Sequence, residues 1–155
     1  MASDIVLSNI RGRVERLTAK SGAAWRRGDL IGYDSGWVKA DASVATPIYA
    51  QLVALTPADG SNEEVNLFNA CRSCDVHDAD APFTAVTAQY LSGTAGAITE
   101  TRPATDFDLI QVVGHALDTK NMTLDLKAPV EYELFLEPDL LDTSSEPGIG
   151  GADAG

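Results

Sequence analysis

Short apolar runs, separated by residues typical of tight turns, recur along the whole chain. The clearest case is residues 28–40, where Asp34, Ser35 and Gly36 lie between two apolar runs and predict a hairpin. Further strands are predicted wherever the chain is apolar over several residues or alternates with period two: residues 48–55, 83–91, 97–101, 109–116, 122–126 and 130–136. Gly114 is expected to interrupt the strand at residues 109–116. In residues 63–74 the spacing of apolar residues does not decide between a strand and a short helix.

These elements predict an all-β fold, a small β-barrel or sandwich built from hairpins. Three parts are expected: an extended N-terminal arm at residues 1–24, a β domain at residues 25–137, and a flexible acidic tail rich in Gly and Pro at residues 138–155. A hairpin, a proline-bearing loop and a strand occur in residues 29–55 and again in residues 88–117. Two explanations stay open: an internal duplication, or the ordinary turn density of a β protein.

Charge is unevenly distributed along the chain. The 155 residues carry 11 basic and 23 acidic side chains, which gives a net charge of -12. Residues 1–39 hold seven of the basic side chains but four of the acidic ones. A basic leading segment on an acidic body predicts an acidic partner. The candidate contacts are five arginines: Arg11, Arg13, Arg16, Arg26 and Arg27. The alternative is that these arginines are ordinary solvated surface.

The composition also argues against several classes of partner. A net charge of -12 repels phosphate, so a nucleic-acid partner is not expected. No stretch approaches the ~18 apolar residues of a membrane-spanning helix, so no membrane partner is expected either. Residues 1–10 lack the features of a signal peptide, which predicts synthesis in the cytoplasm. Asp outnumbers Glu by 15 to 8, and this excess of short carboxylates favours a protein that works in high salt.

Cys71 and Cys74 form a C-x-x-C pair, and His77 follows three residues later. Thiolates and imidazole are zinc ligands, so Cys71, Cys74 and His77 form a candidate zinc site, with a fourth ligand from a nearby Asp or from His115. Two alternatives compete with zinc. One is a pair of inert buried thiols or a local disulfide, which would need no cofactor, and the other is a redox pair.

The sequence contains no arrangement typical of acid–base or nucleophilic catalysis, so it predicts a protein that is not an enzyme. His115 lies in an apolar stretch and is expected to have a structural role. Asp78 and Asp80 offer oxygen ligands to a hard cation such as calcium, although they equally serve to keep a loop soluble. Residues 27–29 spell Arg-Gly-Asp, a tripeptide known for cell adhesion, but three residues carry little information.

Two regions resemble small head-associated proteins of tailed viruses. In the first, Arg-Gly-Asp-Leu-Ile at residues 27–31 leads through a turn to Gly-Trp-Val-Lys-Ala-Asp-Ala at residues 36–42. In the second, residues 89–99 are followed by the apolar string at residues 109–117. The family is that of capsid decoration (cement) proteins, and the resemblance covers residues 25–126. The segment at residues 71–80 and the acidic tail depart from the pattern.

This resemblance implies a β-barrel without catalytic residues. It also implies a place on the capsid surface of a virion, where the protein binds the major capsid protein. The same family leads us to expect self-association, as a homotrimer. The composition adds a halophilic host to this expectation. Two alternatives stay open: a virion spike that binds a host receptor, and a small Cys/His metal-binding or redox protein.

Overall fold

The computed structural model describes residues 5–43, 47–60, 66–104 and 108–131. These residues form fifteen strands: β1 Ile5–Arg11, β2 Glu15–Thr18, β3 Ala24–Trp25, β4 Leu30–Tyr33, β5 Trp37–Lys39, β6 Leu52–Ala54, β7 Ala58–Asp59, β8 Leu67–Cys71, β9 Ser73–Asp78, β10 Ala88–Leu91, β11 Ile98–Thr99, β12 Leu109–Ile110, β13 Val112–Ala116, β14 Asn121–Asp125 and β15 Val130–Glu131. The described part of the chain contains no helix, so the prediction of an all-β fold is confirmed.

The strands form two larger antiparallel sheets and two short ladders. The six-stranded sheet has the order β1-β9-β14-β13-β10-β11, and the five-stranded sheet has the order β2-β8-β6-β4-β5. The ladders pair β3 with β7 and β12 with β15. Within the described residues both larger sheets keep open edges, so the arrangement corresponds to the predicted sandwich rather than to a closed barrel.

One long two-stranded ribbon belongs to both larger sheets. β1 pairs with β9 and β2 pairs with β8, so residues 5–18 run antiparallel to residues 67–78. The ribbon bends at residues 12–14, where Gly12 adopts a φ of 80°, and at Arg72, which separates β8 from β9. The predicted N-terminal arm is corrected accordingly. Its described residues supply two sheet strands, because their apolar positions have a neighbouring strand to pair with and a core to fill.

Two apolar cores explain why the five-stranded sheet is buried on both faces. The larger core lies between the two sheets and includes Leu30, Val53 and Leu124. Side chains next to these in sequence, such as Ile31 and Leu52, point to the opposite face and into the second core. There Trp25, from β3, meets Phe68 edge-on at a centroid distance of 4.8 Å.

The individual strand predictions have mixed outcomes. The hairpin at residues 28–40 is confirmed, with Tyr33 opposite Trp37 across the turn. The interruption expected at Gly114 is wrong, because Gly114 lies within β13 and the break comes at Gln111, between β12 and β13. In residues 63–74, the described portion from residue 66 onward contains strands instead of a helix. The strand predicted at residues 130–136 is described only at residues 130–131.

The two halves of the chain share a strand order. β4 lies between its hairpin partner β5 and the later strand β6, and β10 lies between its hairpin partner β11 and the later strand β13. The two hairpins also contact each other, since Leu30 donates its N–H to Gly96 O and Gly96 donates its N–H to Ala40 O. This common topology favours the internal-duplication hypothesis.

Candidate interaction surfaces

The structure places Cys71 and Cys74 together in the larger core and His77 elsewhere. Both thiols are free and fully buried. His77 lies on the opposite, exposed face of β9, where its Nδ1 is 2.9 Å from Asn121 Oδ1. The alternation of side chains along β9 separates Cys74 from His77, because they are an odd number of residues apart. The predicted three-residue zinc set is therefore not assembled. Among the described residues, no three His, Cys, Asp or Glu side chains are grouped so that they could hold a metal ion.

The two thiols interact with each other instead. Cys74 donates a hydrogen bond to Cys71, which lowers the pKa of Cys71 and raises the pKa of Cys74. In a straight strand, residues three apart face opposite sides. Here the bend at Arg72 turns both side chains inward. The pair therefore behaves as two small apolar side chains that fill the core beside the bend.

We expect neither thiol to react with Ellman's reagent while the protein is folded, because a buried thiol is shielded from the reagent. Both should react once guanidinium unfolds the chain, and the reacted fraction should follow the loss of the near-ultraviolet circular dichroism signal. A stoichiometric reaction in native buffer would contradict the buried placement of the pair.

The five candidate arginines separate into two groups. Arg26 and Arg27 lie in the turn before β4, and Arg27 Nη2 donates a 2.6 Å hydrogen bond to Ile5 O at the start of β1. Arg11, Arg13 and Arg16 lie near the bend of the ribbon. β1 is seven residues long, so the two groups are roughly 20 Å apart.

The group at the bend forms the surface that we call the corner surface, consisting of Arg11, Arg13, Val14, Arg16 and Arg72. Arg72 lies opposite the bend, because Arg11 is in register with Ser73 and Glu15 with Ala70. Sequence reasoning missed Arg72, since no local pattern connects it to residues 60 positions earlier.

Exposure and pairing differ among the residues of the corner surface. The side chain of Arg13 is 85% exposed and lies 3.6 Å from Glu15. Val14 is 51% exposed. Arg16 donates a 3.1 Å hydrogen bond to Asn69 Oδ1, and Arg11 forms an ion pair with Asp75. The side chain of Arg13 is thus more exposed than that of Arg11, which is 47% exposed, and Arg72 is exposed as well.

Asp75 organises the polar outer face of the six-stranded sheet beside this corner. It accepts hydrogen bonds from Arg11, from Asn9 Nδ2 at 2.7 Å and from Thr123 Oγ1 at 3.1 Å. Burial raises the pKa of Asp75, but these hydrogen bonds and the charge of Arg11 outweigh burial and lower the pKa overall. The hydrogen bond to Asp75 in turn raises the pKa of Arg11. This network keeps Arg11 in a fixed position.

His115 lies on the same outer face, opposite Thr123. His115 is expected from the sequence to have a structural role in an apolar strand, but its side chain is exposed. A bulge explains the difference. Gln89 pairs with Gly114 while Tyr90 pairs with Val112, so Val113 is an extra residue and the alternation restarts after it.

A cleft of about 520 Å³ near β11 holds the acidic residues Asp78, Asp80 and Glu100. Glu100 accepts hydrogen bonds from the backbone N–H of Thr84 and from its hydroxyl group. These bonds, the backbone one foremost, lower the pKa of Glu100. Asp78 is buried and accepts the Asp80 N–H at 2.9 Å, which closes a tight loop. These contacts are typical of loop stabilisation.

The Arg-Gly-Asp tripeptide is not displayed for recognition. Asp29 is buried and accepts the backbone N–H of Arg26 at 3.1 Å, so its carboxylate serves the turn before β4. The predicted tail at residues 138–155 lies outside the described residues.

Two further findings bear on function. No family model and no curated protein matches the sequence. The described residues include no helix of the length and apolar character that crossing a membrane requires.

Proposed function

We propose that this chain is a non-enzymatic virion protein that decorates the capsid of a tailed virus by binding its major capsid protein. The observation that carries the proposal is the corner surface. It presents four arginines and an exposed valine on a chain whose net charge is -12. Such a surface attracts an acidic partner, while the remainder of the molecule repels one.

The fold and the resemblance support the same role. A decoration protein needs a small stable body and a surface that repeats over many copies. Modest contacts then hold it firmly, because each bound copy of an oligomer raises the effective concentration of the next contact. We propose a homo-oligomer, expected to be a trimer, on the virion surface of a virus whose host lives in high salt. The excess of Asp over Glu supports that host.

Two observations weigh against the alternatives. A receptor-binding spike that used the Arg-Gly-Asp tripeptide would need Asp29 at the surface, and Asp29 is buried. A zinc or redox protein would need thiols that reach a ligand or an oxidant, and both thiols are in the core.

The substitution Arg13→Glu tests the proposal in a cosedimentation assay with undecorated capsids. We expect saturable binding of the native protein, with a fixed number of copies per shell. Arg13→Glu should weaken binding by roughly tenfold or more, because it reverses the charge that meets an acidic partner. Both proteins should keep the same melting temperature, since the side chain of Arg13 is largely exposed.

The matched control is Lys120→Glu, which makes the same change of charge at an exposed position in the turn between β13 and β14. This variant should bind as the native protein does. If both substitutions weakened capsid binding equally, binding would depend on the net charge of the protein and not on the corner surface. Failure of the folded native protein to bind shells at any salt concentration would refute the decoration role.

A further inference from the structure

The edge of the six-stranded sheet at β1 offers main-chain hydrogen-bonding groups. Among the described strands, β1 is the end strand of that sheet and pairs with β9 alone. Asp78 donates its N–H to Lys120 O on the β14 side, so Ile5, which is opposite Asp78, directs its N–H and C=O away from β9. Leu7, two residues further, has the same orientation. The Arg27 side chain already donates a hydrogen bond to the Ile5 carbonyl. The N–H and C=O groups of Leu7 are therefore the ones that a further strand can pair with.

Two large apolar side chains of β1 are exposed to solvent. Val6 is 55% exposed and Ile10 is 43% exposed. Proteins normally protect an open edge with charges that face a would-be partner. Cations lie at the two ends of β1: Arg27 beside Ile5, and Arg11 at the last residue, where it is ion-paired with Asp75. The edge therefore suits an extended segment that carries apolar side chains together with carboxylates.

The chain itself contains a segment of this chemistry. Residues 132–137, which lie outside the described residues, read Tyr-Glu-Leu-Phe-Leu-Glu and alternate with period two. From residue 132 to the end, the sequence has six acidic side chains and no basic one. Its charge is thus complementary to the cations that flank β1.

The position of β15 bears on whether the segment binds β1 of its own chain or β1 of a second copy of the protein. Residue 132 follows directly on β15, which is paired with β12, and β12 lies next to β10. Strands β13, β14 and β9 separate β10 from β1, a distance along the sheet of roughly 19 Å. Consecutive Cα atoms are about 3.8 Å apart. Residue 132 is bonded directly to the end of β15, on the β12 side of the fold, so we assign the segment to the β1 edge of a second copy.

We propose that residues 132–137 of one copy add to the open edge of β1 in a second copy, and that this contact makes the protein self-associate. The main-chain groups of Leu7 and the exposed Val6 and Ile10 receive the segment, and Arg11 and Arg27 attract its carboxylates. This inference deepens the homo-oligomer of the proposed function by naming its contact, and its test uses the purified protein alone, so that it can fail while capsid binding holds.

The test compares two full-length double variants by size-exclusion chromatography with light scattering. Val6→Glu/Ile10→Glu places carboxylates where the acidic segment would bind. Val86→Glu/Leu117→Glu is the matched control, since Val86 and Leu117 are also exposed but lie away from β1. We expect the native protein and the control to be oligomeric. The β1 variant should be monomeric, with self-association weakened by roughly tenfold or more.

A synthetic peptide of residues 130–137 supplies a measurement that needs no variant. The peptide should compete with the segment and dissociate the native oligomer, whereas a scrambled peptide of the same composition should not. A monomeric native protein would overturn the inference. So would a native oligomer whose mass is unchanged both by the β1 substitutions and by the peptide. Capsid binding by a monomeric native protein would overturn self-association while leaving the decoration role intact.

Discussion

Replacing Gln111 by Ala should lower the free energy of unfolding by about 4 kcal/mol. Gln111 is buried between β12 and β13, and its amide joins two loops. Oε1 accepts the Ala50 N–H at 2.7 Å, while Nε2 donates to Ala50 O at 2.7 Å and to Lys127 O at 2.8 Å. Alanine would leave one buried donor and two acceptors without their partner and would also open a cavity.

Urea unfolding measures this loss, and the melting temperature should fall by roughly 8–16 °C in a chain of this size. Gln51→Ala is the matched control. Gln51 is a half-buried glutamine one residue from Ala50, and its side chain makes no hydrogen bond to another described residue. We expect Gln51→Ala to lower the free energy of unfolding by less than about 1 kcal/mol. A Gln111→Ala variant as stable as the control would show that the amide does not connect the loops.

Local signals in the sequence were sufficient to predict the hairpins. The hairpin at residues 28–40 was predictable because Ser35 and Gly36, with φ values of 54° and 141°, are residues that tolerate the turn. The alternation in residues 122–126 likewise predicted β14. Such signals act within a few residues and need no knowledge of what the strand will pack against.

The bent ribbon was not predictable by the same reasoning. Its two strands are some 60 residues apart in sequence, and their pairing converts the expected arm into part of both sheets. The bend also determines the direction in which the two cysteine side chains point. Spacing alone suggested ligands that act together with His77, but the bend at Arg72 turns both thiols inward and leaves His77 outside.

The corner surface combines both kinds of information. Its basic character was visible in the sequence, since Arg11, Arg13 and Arg16 recur within six residues. The set of residues that form it was not visible in the sequence. Long-range strand pairing places Arg72 at the corner, whereas Arg27 lies at the far end of β1. Charge patterning can therefore predict that a basic surface exists, but strand register decides which cations share it.

Replacing Gly114 by Ala should destabilise the protein by roughly 3 kcal/mol, because the new methyl group has no space. A Cβ atom at this position would lie 2.3 Å from the backbone oxygen of Thr123 in β14 and 2.6 Å from Met122 Cε. The two strands must then separate, which also weakens their hydrogen bonds. Hydrogen exchange should accelerate at β13 and β14, and urea unfolding gives the energy. Gly12→Ala is the control that separates crowding from backbone strain, since Gly12 has open space around it but a φ of 80°. This control should lower the free energy of unfolding by about 1 kcal/mol. A loss for Gly114→Ala no greater than that of Gly12→Ala would contradict the close approach of β13 to β14.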